Sequence, residues 1–565
     1  MEQNVEQKMI EIAKGNLTAA DILAAAGGDL LRGDKSTAFS GVSIDSRTIR
    51  PGELFWTLPG ERFDGHAFVN EVIAKGAAGA VVGSEYINTA ISCQVSGIGE
   101  AMKTESWKTE NWKTDNFPVL IRVQDRLVAL QETAAYLRRQ FPIPLIAITG
   151  SNGKTTTKEM IASILSCKGN RESGGHHREP GGHREPGEHR ESRCQVLKTE
   201  GNYNNLIGLP LTLCGLTPEV KVAVLELGMN AFGEIRKLTR ICQPTIGLVT
   251  NIGPAHIEFF GSLEKISQAK GELFEEMRPD GVAIINGDDP YCLRIASRRS
   301  RVITFGLREG ADVRAEGIVQ HEDQVFFVLH ADGKKVDITL PLVGQINVYN
   351  ALAAAAAARA LRIPLSTIRQ GLSQVVLPPM RMMRLKGPND SIIINDAYNA
   401  NPVSMCSAID TILQSKGSLP LPMTVGGGSR SVTSEEARSA KCEGTRSVAS
   451  GGTRSVASTS GRTILVLGDM LELGTEAERF HRQVGWFIAH NPVDYLFTCG
   501  QLAHWIAEES LANGMKKDHV FLDLNHDQIA ETLKTLITPG DRILIKGSRG
   551  ARMEKVAKLL MDEEK

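Results

Sequence analysis

No sign of charge predominates in this chain of 565 residues, which carries 64 Lys and Arg against 65 Asp and Glu. That balance excludes a global field able to recruit nucleic acid or an anionic membrane, and it favours small molecules as partners. Cysteines number nine, an odd total, and no C-x-x-C pair occurs among them. This argues against a disulfide framework or a zinc cage, so the thiols read as reduced. Also missing is any apolar run approaching the ~18 residues of a membrane span, and residues 1–8 have no basic segment leading into an apolar core. The expectation is a soluble, cytoplasmic monomer with no stable membrane insertion.

Two nucleotide signatures are absent as well. A full Walker pattern needs glycine where Ile148 stands, and there is no Asn-Lys-x-Asp guanine reader, which a P-loop switch would require. What remains is the shorter form Thr149-Gly150-Ser151-Asn152-Gly153-Lys154-Thr155-Thr156, placed after the apolar run 144–148 and before a helical pattern at 158–165. The glycines let backbone N–H groups turn toward phosphate oxygens, the helix adds its positive end, Lys154 adds a charge, and the Thr155 hydroxyl can ligate Mg²⁺. The chain is therefore expected to bind ATP with Mg²⁺.

A chain this long exceeds one core, and ~150 residues per domain suggests three or four units, of which three is the expectation. The expected fold class is α/β, divided as a small α/β domain over 1–117, a central P-loop-type parallel-sheet ATPase domain over 118–378, and a doubly wound Rossmann-like domain over 379–565. Low-complexity insertions are expected at about 93–117, 168–194 and 417–462, the second with four histidines that read as a solvated loop. Residues 301–343 alternate as antiparallel strands do, and Gly344 opens a helix carrying Asn347 and Asn350 one turn apart.

Polar residues recur at the ends of apolar strands. Glu226, Asn251 with His256, and Asn286 with Asp288 follow central strands; Asp396, Tyr398, Asn399 and Asn401, and Lys546, Ser548 and Arg549 follow later ones. In an open parallel sheet the ligand crevice lies beyond those ends, so these groups are expected to face the phosphate loop. A carboxylate such as Glu226 after a short apolar strand suits a Mg²⁺ site. Asp45, Ser46 and Arg47 could clasp a diphosphate or a uracil edge. Asn202, Asn204 and Asn205 form a row of amides suited to a carboxylate or amide-bearing substrate.

Taken with Lys270, this constellation resembles the Mur ligases of peptidoglycan synthesis, most closely those that add D-alanyl-D-alanine to UDP-N-acetylmuramoyl-tripeptide. The most telling segments are Asp45-Ser-Arg47, Phe63-Asp-Gly-His66, Gly201-Asn-Tyr-Asn-Asn205, Ala269-Lys-Gly-Glu272, Asp396-Ala-Tyr-Asn-Ala-Asn-Pro402 and Lys546-Gly-Ser-Arg549. The resemblance implies an ATP-dependent amide ligase whose first domain holds the UDP-sugar, whose second holds ATP and whose third closes over both. It implies catalytic roles for Lys154, Glu226, His256 and Lys270. Thr155, Glu226, His256 and a carbamylated Lys270 would hold metal, and Asn347, Arg381 and Asp396 would bind the nucleotide. A sibling ligase adding diaminopimelate or lysine, or a folylpolyglutamate synthase, is the nearest alternative, though the Asp-Asn-Pro-Arg signature of the diaminopimelate type is absent. One departure stands at the domain junction, where the family usually has Pro-Gly-Arg and this chain has Pro379-Met380-Arg381. Methionine lacks glycine's freedom at positive φ, so a slightly different hinge is expected.

Overall fold

The computed structural model describes residues 17–60, 63–86, 118–167, 195–414 and 461–561. The expected insertions at 93–117 and 168–194, and all of 417–462 but its last two residues, lie outside the described residues. The architecture is α/β in three sheet-centred domains.

The first domain is built on a five-stranded sheet in the order Asp29–Arg32, Val119–Val123, Gly79–Gly83, Glu53–Trp56, Gly41–Ser43. All neighbours are parallel except the pair made by Asp29–Arg32. The boundary expected at 117 is corrected by this order, because Val119–Val123 is an interior strand of the first sheet. The helix Arg126–Gln140 also covers that sheet, burying Leu130 and Leu137 with Trp56 and Ile121. Loss of periodicity before 118 marked a loop, and a loop's position says nothing about which sheet its next strand joins.

The central sheet has nine strands, and the phosphate-loop strand Leu145–Thr149 lies between Val220–Glu226 and Ile246–Val249, parallel to both. Apolar cores cover both faces, which is why these strands read as unbroken apolar runs. On one face the helix Gln345–Ala360 packs through its alanines at 353–358 against Lys154–Ser166. Leu365–Ser373 approaches the same helix so closely that a Cβ on Gly371 would stand 2.3 Å from Ile164 Cα. Antiparallel pairing occurs among Val313–Gln320, Val325–Ala331 and Lys334–Leu340. The preceding strand, Val302–Gly306, still runs parallel to Val282–Asn286, so the antiparallel stretch begins later than position 301 suggested.

The third domain carries six strands in the order Met383–Lys386, Ile392–Asp396, Arg542–Lys546, Thr463–Gly468, Tyr495–Cys499, Val520–Phe521, parallel apart from the first. Among the described residues, no helix is long and apolar enough to cross a membrane, and Cys167, Cys214, Cys242, Cys292, Cys406 and Cys499 are free thiols.

Candidate active site

The phosphate loop turns where its glycines allow it. Gly150 has φ 140° and Gly153 φ 83°; a Cβ at either would meet Thr250 Oγ1 at 1.9 Å or Asn350 Oδ1 at 2.2 Å. The loop is tied to the neighbouring strand end, with Asn152 N–H donating to Asn251 Oδ1 (3.0 Å) and Thr250 Oγ1 donating to Asn152 O (2.5 Å). Gly153 begins the helix Lys154–Ser166, so its free N–H groups and dipole point out of the loop. The Lys154 ammonium donates to Gly150 O at 2.6 Å. Burial holds it below the ordinary lysine range; Glu226 opposes that depression and Arg381 adds to it.

Glu226 ends its strand almost completely enclosed. Its Oε2 accepts the Thr155 hydroxyl at 3.1 Å, and that hydroxyl also accepts Arg381 Nη2 at 2.8 Å from the third domain. Oε1 lies 3.1 Å from Lys158 Nζ, an ion-pair separation without hydrogen-bond alignment. His256, at φ 61°, stands 2.6 Å through Nδ1 from Glu472 Oε2 of the third domain, again at ion-pair distance without that alignment. Lys270 is buried at 2 % exposure, and burial, reinforced by the charge of Lys154, drives its amine well below the usual lysine value.

A cavity of ≈ 1490 Å³ lies where the domains meet. The first domain contributes Asp45 and Arg47; the central one Ser151 to Thr156, Asn202, Asn204, Asn205, Glu226, His256 and Asn347; the third Arg381, Asp396, Tyr398, Asn399, Asn401, Lys546, Ser548 and Arg549. Asp45 and Arg47 form a bidentate pair (2.9 and 2.6 Å), which holds the carboxyl below its ordinary range against a smaller effect of burial. Asn401 Nδ2 donates to Asn152 Oδ1 at 2.6 Å, bringing the third domain onto the phosphate loop. The Arg381 guanidinium lies 4.0 Å over the Tyr398 ring, and Lys546 pairs with Asp396 at 2.6 Å.

Three family models match segments of the chain. The Mur ligase family catalytic domain matches residues 38–137, the Mur ligase middle domain 148–358, and the Mur ligase glutamate ligase domain 443–549. A UDP-N-acetylmuramoyl-tripeptide–D-alanyl-D-alanine ligase of Bacillus subtilis is 32% identical over 94% of this chain and 94% of its own. The chain belongs to the Mur ligase family. The Escherichia coli ligase of the same name is also 32% identical, covering 94% of this Mur ligase and 97% of its own length. The crystal structure of MurF from Acinetobacter baumannii superposes with a TM-score of 0.72 at 28% identity, over 98% of this chain and 100% of that one.

Not every expected residue of this Mur ligase faces the cavity. Ser46 is buried away from it, with its carbonyl accepting Lys75 Nζ at 2.8 Å. Thr149 is fully enclosed, and Gly150 shapes the loop from behind rather than lining the wall. Lys270 likewise lies behind the wall, near Lys154. Asn286 and Asp288 do not converge on the phosphate loop: Asp288 is taken by Leu307 N–H (2.6 Å) and the Tyr349 hydroxyl (2.8 Å), and Asn286 Oδ1 accepts Asp288 N–H. Asn205 lines the cavity but spends its side-chain carbonyl on the Ile207 and Gly208 N–H groups. Lys158 and Glu472 are among the contributors that escaped the sequence reading. A second helix lysine one turn after Lys154 was the available signal for the first; Glu472 had none, since its partner lies in another domain.

Proposed function

We propose that this Mur ligase joins D-alanyl-D-alanine to UDP-N-acetylmuramoyl-tripeptide, consuming ATP and giving UDP-N-acetylmuramoyl-pentapeptide, ADP and phosphate. The observation that carries the reading is the near-complete alignment, at 32% identity, with ligases bearing that name, on a chain whose three domains share one polar cavity. The tripeptide carboxylate attacks the γ-phosphorus, ADP leaves, and an acyl phosphate forms. The dipeptide amine then attacks the acyl carbon, phosphate leaves, and the amine proton passes to a base. Lys154 and the loop N–H groups face the charge on the transferring phosphoryl group, and closure of the third domain keeps water from the acyl phosphate.

The donor set at the loop fits Mg²⁺: the Thr155 hydroxyl and the Glu226 carboxylate are hard oxygens, with His256 in the same cavity wall. A bound Mg²⁺ would draw charge from the phosphate oxygens. Burial disfavours the charged form of Lys270 and so favours the free amine that can add CO₂; its carbamate would supply a further oxygen donor. Asp45 and Arg47 of the first domain are assigned to the UDP-sugar, Asn347, Arg381 and Asp396 to the nucleotide. ATP consumption on a UDP-linked substrate suits the expected cytoplasmic setting.

The test is phosphate release from ATP with UDP-N-acetylmuramoyl-tripeptide, with and without D-alanyl-D-alanine, beside a reaction offering the muramoyl dipeptide with diaminopimelate or lysine. Release only with tripeptide and D-alanyl-D-alanine together, with pentapeptide product, is the expected result. Release only in the dipeptide reactions would replace the substrate assignment by a sibling's.

A further inference from the structure

Lys158 follows Lys154 by one turn on the helix Lys154–Ser166, and the two ammonium groups serve different oxygens. Lys154 reaches the loop carbonyl of Gly150, whereas Lys158 is enclosed at 2 % exposure beneath the strand end that carries Glu226. Its Nζ lies 3.1 Å from Glu226 Oε1 and 3.1 Å from Glu159 Oε1, and it donates to the Thr199 carbonyl. Thr199 holds Glu226 from the other side, its hydroxyl accepting the Glu226 N–H at 2.9 Å. The two carboxylate oxygens of Glu226 are thus unequal. Oε2 meets the Thr155 hydroxyl, while Oε1 is closed to solvent with the Lys158 cation against it.

We propose that Lys158 is a positioning residue that restricts Glu226 to one-oxygen coordination and so biases the metal site toward Mg²⁺ over Ca²⁺. The inference rests on the reading of Glu226 as a metal ligand. Mg²⁺ takes six oxygens at 2.0–2.1 Å in strict octahedral array and binds through single carboxylate oxygens, whereas Ca²⁺ takes six to eight at 2.3–2.6 Å and gains from two-oxygen carboxylates. A cation held 3.1 Å from Oε1 denies that second oxygen. An apolar side chain at 158 would lift the block and also remove a positive charge from Glu159 and Glu226; the charge effect acts on both ions alike, so the ratio of their affinities isolates the block.

The experiment is calorimetric titration of the full chain with the β,γ-methylene analogue of ATP in MgCl₂ or in CaCl₂. Wild type, Lys158→Met, Lys158→Arg and Glu226→Gln are compared, each with its thermal melt. Wild type is expected to bind the analogue roughly tenfold more tightly with Mg²⁺ than with Ca²⁺, and Lys158→Met to lose most of that preference. Lys158→Arg, which keeps a cation beside Oε1, is expected to retain it, a rescue that a purely structural role would not produce. A folded Lys158→Met with the wild-type ratio overturns the proposal. So does a wild type that does not discriminate, a comparison that needs no folded variant. Glu226→Gln separates the two levels: if it keeps the full Mg²⁺ dependence of nucleotide binding, the metal-ligand reading itself is wrong.

Discussion

Asp541 is enclosed at 1 % exposure at the foot of the third sheet, where it gathers donors from Arg462 (Nη2 at 2.6 Å) and from the Thr538 N–H (2.8 Å). Burial pushes its carboxyl up, but the Arg462 and backbone hydrogen bonds outweigh that, so it titrates below its ordinary 3.8. A depressed carboxyl stabilises the fold at pH above the unfolded value and loses that contribution as pH falls through the folded value. Asp541→Ala is expected to cost ~3 kcal/mol at pH 7, because it strands a partly buried guanidinium. The gap to wild type should narrow as pH drops below about 3.8, the reference value for the carboxyl; urea unfolding at pH 7 and pH 3 checks this. In the cavity, Lys154→Met removes the charge facing the transferred phosphoryl group and is expected to lower phosphate release by roughly 10²- to 10³-fold with the fold intact. The loop residues were legible because a glycine-spaced motif between an apolar run and a helical pattern fixes both conformation and chemistry. Ser46 and Asp288 were misplaced because a polar residue at a strand end has two destinations, the crevice or a neighbouring backbone. Sequence order does not record which one the packing supplies.

Strands were read well where they were buried on both faces, as in Leu145–Thr149 or Arg542–Lys546, since an unbroken apolar run there has little else to be. Membership of a sheet was not legible, and Val119–Val123 joined the first domain because its partners, Gly79–Gly83 and Asp29–Arg32, lie N-terminal to it. The junction at 379–382 is bent at two methionines. Met380 adopts φ 62° and Met382 φ 49°, so the hinge keeps the left-handed bend that glycine would serve, using residues that disfavour it. The Met380 carbonyl still accepts Tyr398 N–H at 3.2 Å, which holds the bend against the third domain. Met380→Gly relieves the strain at the loss of one thioether contact with Arg549 and is expected to raise stability by about 0.5–1 kcal/mol, the unfolded chain's gain in freedom being the smaller effect. A higher melting temperature checks it; an unchanged or lower one means the bend costs this chain nothing.

At the scale of the whole molecule, the third domain meets the central one both around the cavity and away from it. Around the cavity the joints include Arg381 with Thr155, Asn401 with Asn152 and His256 with Glu472, which tie the geometry of the phosphate loop to the seat of the third domain. Away from the cavity Glu322, in the turn after Val313–Gln320, lies 3.4 Å from Arg542 and 4.0 Å from Arg384 of the third domain. Glu322 is exposed, so the attraction is worth no more than ~1 kcal/mol, yet it acts on the domain angle without touching the site. Glu322→Lys sets like charge against both arginines and favours the open arrangement. Nucleotide affinity is expected to weaken as Arg381 and Asp396 draw back from the loop, and the turnover number to fall a few-fold, both at low ionic strength. Raising salt to about 0.5 M screens exposed charges beyond a few ångströms and should return most of the lost rate. Turnover measured across a salt series for both proteins decides the matter, because a defect in the site itself would persist at every ionic strength.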